Sequence, residues 1–357
     1  MSKERIQKAQ KFLKQENLDG FIVNRPISVR YLSGFTGSTA VLIIRSNDAY
    51  FLTDFRYKDQ SRAQVKGAKI IITKTEVINE LKDLPQFHGK NLRYGFETEY
   101  LTFFNKERLQ NNLKGALLIP IRDFIEQFAI IKDPNEVEMI EKAAAITDKA
   151  FERILGYIRP GLRENEVRAE LEYQMMVMGS EQPAFETIIA SGHRSALPHG
   201  VATTKKIAKG DFVTFDFGAQ VGGYVADFTR TIVIGKATER QKKIYNIVLK
   251  AQEAAIRKVK PGVEGKVLDK TARDIIEKAG YGKYFGHGLG HGIGIYVHSK
   301  PSLGKMSPDI MKKGMVFTVE PGIYLPGWGG VRIEDDVLVT ANGGRVLNHS
   351  PKKLLVV

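Results

Sequence analysis

The chain has 357 residues, 43% hydrophobic and 26% charged, with a formal net charge of +14 and no cysteine. That length favours two domains over a single core. The lack of cysteine excludes disulfides and thiolate ligands, so any metal must sit on oxygen and imidazole.

No apolar run approaches the ~18 residues of a membrane span. The opening "MSKERIQKAQKFLKQ" is charged from its third residue and is not expected to act as a signal peptide. A cytoplasmic protein is the simplest expectation. The positive charge raises the question of nucleic acid. The lysines of "TKKIAKG" and "MKKGM" are short runs far apart, however, and no Arg-rich or aromatic-interleaved stripe accompanies them. Neither nucleic acid nor membrane is expected as a partner.

In chain order, residues 1–20 read as an amphipathic helix with Ile6, Ala9 and Leu13 at helical spacing. Short strands follow in "GFIVN", "AVLIIR", "AYFLTDFRY" and "KIIIT", with "GFTGS" as a glycine loop. Alternating helices and strands predict a compact α/β domain over 1–121. A second domain, 122–357, begins where "LLIPIRDFIEQFAIIKDPNEVEMI" passes from strand through linker to helix, with Pro134 close to the helix start.

The second domain contains an old internal repeat. "KAFERILGYIRPG" (149–161) aligns with "KAQEAAIRKVKPG" (250–262), and Gly179 then falls opposite Gly280. Each copy predicts a long helix ended by Pro-Gly and then a second helix. Further on, "GDFVTFDFG" (210–218) aligns with "GMVFTVEPG" (314–322), placing Asp216 opposite Glu320. "GGYVAD" (222–227) aligns with "GGVRIE" (329–334), placing Asp227 opposite Glu334. All four carboxylates fall on apolar, β-branched segments that read as strands. A pseudo-twofold axis would bring them together at the centre of the domain.

Four buried anions cannot share one site without compensation. Protonation is one answer, and ion pairs with Arg230 and Arg332 are another. Two divalent cations are the third, since carboxylates with one imidazole suit Mn²⁺, Co²⁺ or Zn²⁺. A histidine source is at hand in "HGLGHGIGIYVH" (287–298). The glycines at 286, 288, 290, 292 and 294 are expected to permit either close backbone approach or positive φ.

Taken together, "DFG…DFTRT", "HGLGHGIGIYVH", "VEPGIY" and "GGVRIED" resemble the pita-bread metallopeptidases, which include methionine aminopeptidase, aminopeptidase P and prolidase. "RYLSGFTGS" and "LTDFRY" in the first half are similar to the creatinase-type N-terminal domain of the proline-specific members. The resemblance implies a creatinase-like α/β domain followed by a pseudo-twofold catalytic domain, α/β (α+β) in class. It also implies a ligand set for two metal ions, Mn²⁺ first, with Co²⁺ or Zn²⁺ as alternatives. Asp216 would chelate one ion, Asp227 and Glu334 would bridge, and His291 and Glu320 would complete the other.

By the same resemblance His298 is the catalytic histidine, His199 lies on the opposite wall, and Glu320 doubles as proton shuttle. His287, Arg332 and Tyr324 match positions that shape the substrate site. One departure is Ser299, where relatives commonly have glutamate directly after the catalytic histidine.

The implied reaction is hydrolysis of the bond between an N-terminal residue and a following proline, by a hydroxide bridging the two ions. Proline's tertiary amide lacks an N–H, so peptidases that bind that hydrogen handle it poorly. "SGHRSALPHGVAT" tilts the expectation toward an Xaa-Pro aminopeptidase; the alternative is an Xaa-Pro dipeptidase (prolidase) acting only on dipeptides. Creatinase and a non-catalytic pita-bread binding module are disfavoured because both lack part of the ligand set. A homodimer is expected from the resemblance alone.

Overall fold

The computed structural model describes residues 2–357 and separates into two compact units, one ending at Phe128 and the other spanning Ala129–Val357.

The first unit is built on a six-stranded mixed sheet. Its strands are β1 (Gly20–Val23), β2 (Val41–Arg45), β3 (Ala49–Asp54), β4 (Lys69–Thr73), β5 (Arg93–Glu97) and β6 (Leu117–Ile121), in the order β4-β3-β2-β1-β5-β6. Strand β1 pairs antiparallel with β2 and parallel with β5, and β5 pairs parallel with β6. Helix α1 (Ser2–Gln15) buries Ile6, Ala9, Phe12 and Leu13, the stripe its spacing predicts. It stops at Gln15, short of the expected residue 20, because β1 already begins at Gly20. Helices α2 (Pro26–Ser33), α3 (Lys58–Gln64) and α5 (Phe103–Asn112) and the single turn α4 (Val77–Glu80) complete the layers. "AYFLTDFRY" is only partly strand: after Asp54 the chain turns into a 3₁₀ turn, Phe55–Tyr57, capped by the Asp54 carboxylate.

The unit extends past the expected boundary at 121 for a packing reason. Phe124 stacks on Phe21 at 3.6 Å and meets Phe12 edge-on, and Phe128 also packs against Phe12. These aromatics tie residues 122–128 to α1 and β1. Helix α6 (Glu126–Ala129) is a single turn at the junction.

The second unit opens with α7 (Pro134–Tyr157), which has Pro at its first position and an Asp133/Glu136 capping box. Helix α8 is Glu164–Val177, α9 is Glu239–Lys258 and α10 is Gly265–Lys278. The pairs α7/α8 and α9/α10 are the two copies seen in the sequence. Gly161 and Gly262, which end the aligned Pro-Gly pairs, both have left-handed φ (95° and 87°), so the same turn recurs in each copy.

The strands of the second unit are β7 (Ile188–Ser191), β8 (Phe212–Phe217), β9 (Gln220–Val221), β10 (Tyr224–Val225) and β11 (Phe228–Val233) in one half. The other half has β12 (Gly290–Gly292), β13 (Ser299–Leu303), β14 (Val316–Val319), β15 (Gly322–Leu325), β16 (Gly329–Arg332), β17 (Asp335–Val339) and β18 (Gly344–Val346). They form the sheets β11-β8-β7 and β13-β12-β14-β17-β18, with β9/β10 and β15/β16 as two-stranded ribbons. Helices α9 and α10 pack Ile244, Val248, Leu268 and Ile276 into one buried cluster with Phe317, Val319 and Val337. Among the described residues no helix is long and apolar enough to cross a membrane.

Candidate metal centre

Only Asp216 lies within a strand, β8. Asp227 stands between β10 and β11, Glu320 just beyond β14, and Glu334 between β16 and β17. The expectation of four strand carboxylates is therefore corrected. Three of them sit where the chain leaves one sheet for the next, which removes them from the ladder and lets them converge from different sheets.

All ten residues singled out from the sequence line one cleft of about 730 Å³: His199, Asp216, Asp227, His287, His291, His298, Glu320, Tyr324, Arg332 and Glu334. Ligand atoms of Asp227, His291 and Glu334 lie within 4.8 Å of one another. The Nε2 of His291 is 3.3 Å from Glu320 Oε1 and 3.7 Å from Asp227 Oδ2. Asp216 is turned instead to Arg332, with which it forms a close ion pair. The ion-pair reading thus holds for one of the four carboxylates. Arg230 takes no part, because its guanidinium pairs with Asp335 at 2.7 Å.

Burial, then the charges of Asp216 and Asp336, push the Asp227 carboxyl well above its ordinary range. Burial and the neighbouring Asp227 do the same to Glu334. Burial also raises Asp216, and the Arg332 charge only partly offsets it. Burial opposes the charged forms of Glu320 and His291 as well. Burial is the largest single effect on each, but their mutual hydrogen bond and the surrounding opposite charges together outweigh it, lowering Glu320 and lifting His291 to about 9. One imidazole and one guanidinium are thus set against four buried carboxylates. Hard oxygen donors around a single nitrogen are the donor chemistry of divalent Mn, Co or Zn, whose charge would relieve this repulsion.

None of the five glycines of the histidine segment has a left-handed φ, and close backbone approach explains Gly288, Gly290 and Gly292, whereas a Cβ on Gly286 would meet nothing. A Cβ on Gly290 would lie 2.0 Å from the Thr318 carbonyl oxygen, and one on Gly292 would lie 2.1 Å from that of Lys300. Strand β12 is squeezed between β13 and β14, and only glycine on either side of His291 lets it through.

His298 precedes β13, with its ring 4.1 Å from that of His291. Burial and the neighbouring His291 hold its pKa down, so it is neutral at pH 7. Ser299 follows at the start of β13, where its hydroxyl reaches only the Lys300 carbonyl, 3.4 Å away.

His287 belongs to a relay whose direction can be worked out. Its Nδ1 lies 2.7 Å from the Gly288 carbonyl oxygen, which can only accept, so Nδ1 carries the hydrogen. Burial lowers its pKa, the ring is neutral, and Nε2 accepts from the Tyr324 hydroxyl at 2.9 Å. Tyr324 in turn accepts from Arg332 Nη1 at 2.9 Å. Arg332 also donates to Thr229 and the Pro198 carbonyl as well as to Asp216, so four of its five N–H groups are engaged.

Residues 138–341 match metallopeptidase family M24, and residues 5–130 match the creatinase/prolidase N-terminal domain. The chain belongs to metallopeptidase family M24. It is 41% identical to an Xaa-Pro dipeptidase of Pyrococcus furiosus over 358 residues, covering 99% of this chain and 100% of that one. It is similar in structure to the Xaa-Pro dipeptidase from Bacillus anthracis, with a TM-score of 0.95, 42% identity and full coverage of both chains. It is also similar to an X-Pro aminopeptidase from Thermotoga maritima, with a TM-score of 0.91 and 37% identity over 98% of this chain and 100% of that one. Membership of M24 makes the protein a metallopeptidase and explains a cleft in which Asp216, Asp227, Glu320 and Glu334 meet four histidines, with Glu186 as a fifth carboxylate in the lining.

Several supports of this M24 cleft are not among the residues read from the sequence. On α10 the positions Gly265, Leu268, Asp269, Ala272, Arg273 and Ile276 form the buried face. Asp269 and Arg273, one turn apart, pair there at 2.8 Å. Arg273 donates to the Phe285 and His287 carbonyls and Asp269 accepts from Leu289 N–H, which clamps the chain just before β12. Thr318 accepts from His291 N–H and donates to Glu320. The i,i+4 acid–base pair was visible in the sequence, but nothing there indicated what it holds.

Proposed function

We propose that this metallopeptidase is an Xaa-Pro dipeptidase that uses two divalent cations to release the N-terminal residue from a dipeptide ending in proline. The observation that carries it is the convergence of Asp227, His291 and Glu334, with Glu320 on His291, in the cleft that also holds the His287–Tyr324–Arg332 relay. The sequence tilted toward the aminopeptidase. The dipeptidase is preferred because the relatives at 41% and 42% identity over the whole chain carry that name, against 37% for the aminopeptidase structure.

In this reading Asp216, Asp227, His291, Glu320 and Glu334 would together hold the two cations. When bound, the cations supply Lewis acidity and ready deprotonation of water at neutral pH. The protein's own groups do the rest. Glu320 takes the proton from the attacking water and passes it to the proline nitrogen, which must leave as an amine. His298, neutral and therefore able to donate one N–H, stabilises the negative charge developing on the carbonyl oxygen. His199 closes the opposite wall. Arg332 keeps Tyr324 and His287 in one orientation, so the proline end of the substrate meets a fixed polar surface.

The test is a paired assay on metal-stripped protein reloaded with Mn²⁺, using Ala-Pro and Ala-Pro-Ala. Cleavage confined to Ala-Pro is expected. Release of alanine from the tripeptide makes the protein an Xaa-Pro aminopeptidase, the second reading, which the Thermotoga maritima structure favours. No cleavage of either peptide with Mn²⁺, Co²⁺ or Zn²⁺ refutes both.

A further inference from the structure

Two of the carboxylates proposed to hold the cations are each followed, two positions later, by a side chain that serves the opposite half of the repeat. Thr229 follows Asp227, and Asp336 follows Glu334. The Thr229 hydroxyl donates to Glu334 Oε2 at 2.5 Å. The Asp336 Oδ2 accepts the backbone N–H of Asp227 at 3.0 Å. Between them the Glu334 N–H donates to the Thr229 carbonyl at 3.1 Å. Thr229 and Asp336 are both fully buried, and they lie on β11 and β17, strands of two different sheets.

The direction of the first contact is fixed. The Thr229 oxygen already accepts from Arg332 Nε at 3.0 Å, and a hydroxyl has a single proton, so that proton is directed at Glu334. The second contact is anchored too, because Asp336 N–H donates to the Asn348 side chain at 2.7 Å. The two halves use different devices for a reason of length. Glutamate has three side-chain torsions and needs a grip on the carboxylate itself. Aspartate has two, so fixing its backbone fixes most of its reach. Two carboxylates held this close and buried would otherwise swing apart.

We propose that Thr229 and Asp336 form a reciprocal clasp across the pseudo-twofold that presets Glu334 and Asp227 for cation binding. They are positioning residues and touch neither cation nor substrate. The inference rests on the assignment of Asp227 and Glu334 as cation ligands given above. Groups that orient metal ligands typically contribute about 10- to 100-fold in metal affinity.

Calorimetric titration of metal-stripped protein with Mn²⁺ tests this without reference to turnover. Thr229→Val keeps the β-branched shape that suits a strand and removes only the hydroxyl. It should fold like wild type and bind Mn²⁺ about 10- to 100-fold more weakly, and Thr229→Ser, which restores the hydroxyl, should recover affinity. Asp336→Ala should weaken binding similarly, while Asp336→Asn, which still offers an oxygen to Asp227 N–H, should retain it. If Thr229→Val does not fold, Thr229→Ala removes the same group and is read in its place. Wild-type affinity in both Thr229→Val and Asp336→Ala overturns the clasp, as does a Thr229→Ser variant as weak as the valine. A wild-type protein that binds none of Mn²⁺, Co²⁺ or Zn²⁺ removes the ligand assignment itself, and the clasp with it.

Discussion

Glu97 ends β5 in the first unit with only 3% of its surface exposed. Its Oε1 accepts from the Ser28 hydroxyl at 2.6 Å, while Oε2 is buried without a partner among the described residues. Burial lifts its pKa from 4.5 to about 7, more than Ser28 and the Arg25 charge can offset. The raised value means that the folded state prefers the proton. Its contribution to stability is fully present below pH 4.5 and is lost as pH rises through 7. At about 1.36 kcal/mol for each tenfold change in proton affinity, the rise from 4.5 to about 7 amounts to roughly 3 kcal/mol at pH 8, of which about 1.5 kcal/mol is already lost at pH 5.5. Glu97→Gln keeps an oxygen for Ser28 and removes the charge, so it should stabilise the unit more at pH 8 than at pH 5.5, by about 2 kcal/mol. Hydrogen–deuterium exchange of β1, β5 and β6 reads this locally. Comparing variant with wild type at each pH cancels the intrinsic exchange chemistry. Exchange through openings that expose Glu97 should slow more than 100-fold at pH 8 and about tenfold at pH 5.5. An equal effect at both pH values would show that Glu97 keeps an ordinary pKa and would refute the reasoning.

Two further outcomes are expected in the second unit. His298→Ala should lower kcat by about 100-fold or more while the protein keeps its full complement of Mn²⁺ by elemental analysis; an emptied site would mean that His298 and His291 have exchanged roles. Asp335→Ala should cost about 3–5 kcal/mol in unfolding experiments, because it leaves the Arg230 guanidinium, itself 1% exposed, without its carboxylate partner. A thermal midpoint unchanged from wild type would show that the carbonyls of Thr229, Glu334, Ser350 and Pro351 suffice to hold that charge.

The repeat was legible because it is written in residues with strong local meaning. Pro-Gly after a helix, glycine at a left-handed turn and an acid at a fixed distance from glycine each survive divergence of everything between them. That pattern was enough to place Asp216, Asp227, Glu320 and Glu334 in one cleft. Other features had no such signature. Thr229 and Thr318 are ordinary strand formers in sequence, and only the register of packed sheets shows which carboxylate each hydroxyl meets. Whether a carboxylate lies in a strand or at a junction depends on where pairing stops, which local propensity does not determine. The reach of the first unit to Phe128 was hidden likewise, since it depends on Phe124 finding Phe21 across the whole length of that unit's chain.

Neither half of the second unit can build this centre alone. Asp216 and Asp227 belong to the first copy, and Glu320 and Glu334 to the second. His291 has no counterpart among the proposed ligands of the first copy, so the two halves have diverged in the donors they bring. What remains symmetric is the support: each half extends one residue of its next strand to the other half, Thr229 on β11 to the Glu334 carboxylate and Asp336 on β17 to the Asp227 backbone N–H. Such an arrangement fixes the spacing between the sheets and the spacing between the carboxylates with the same hydrogen bonds. Loss of either contact therefore acts on both, because the joint between the halves and the ligand geometry are one structural element.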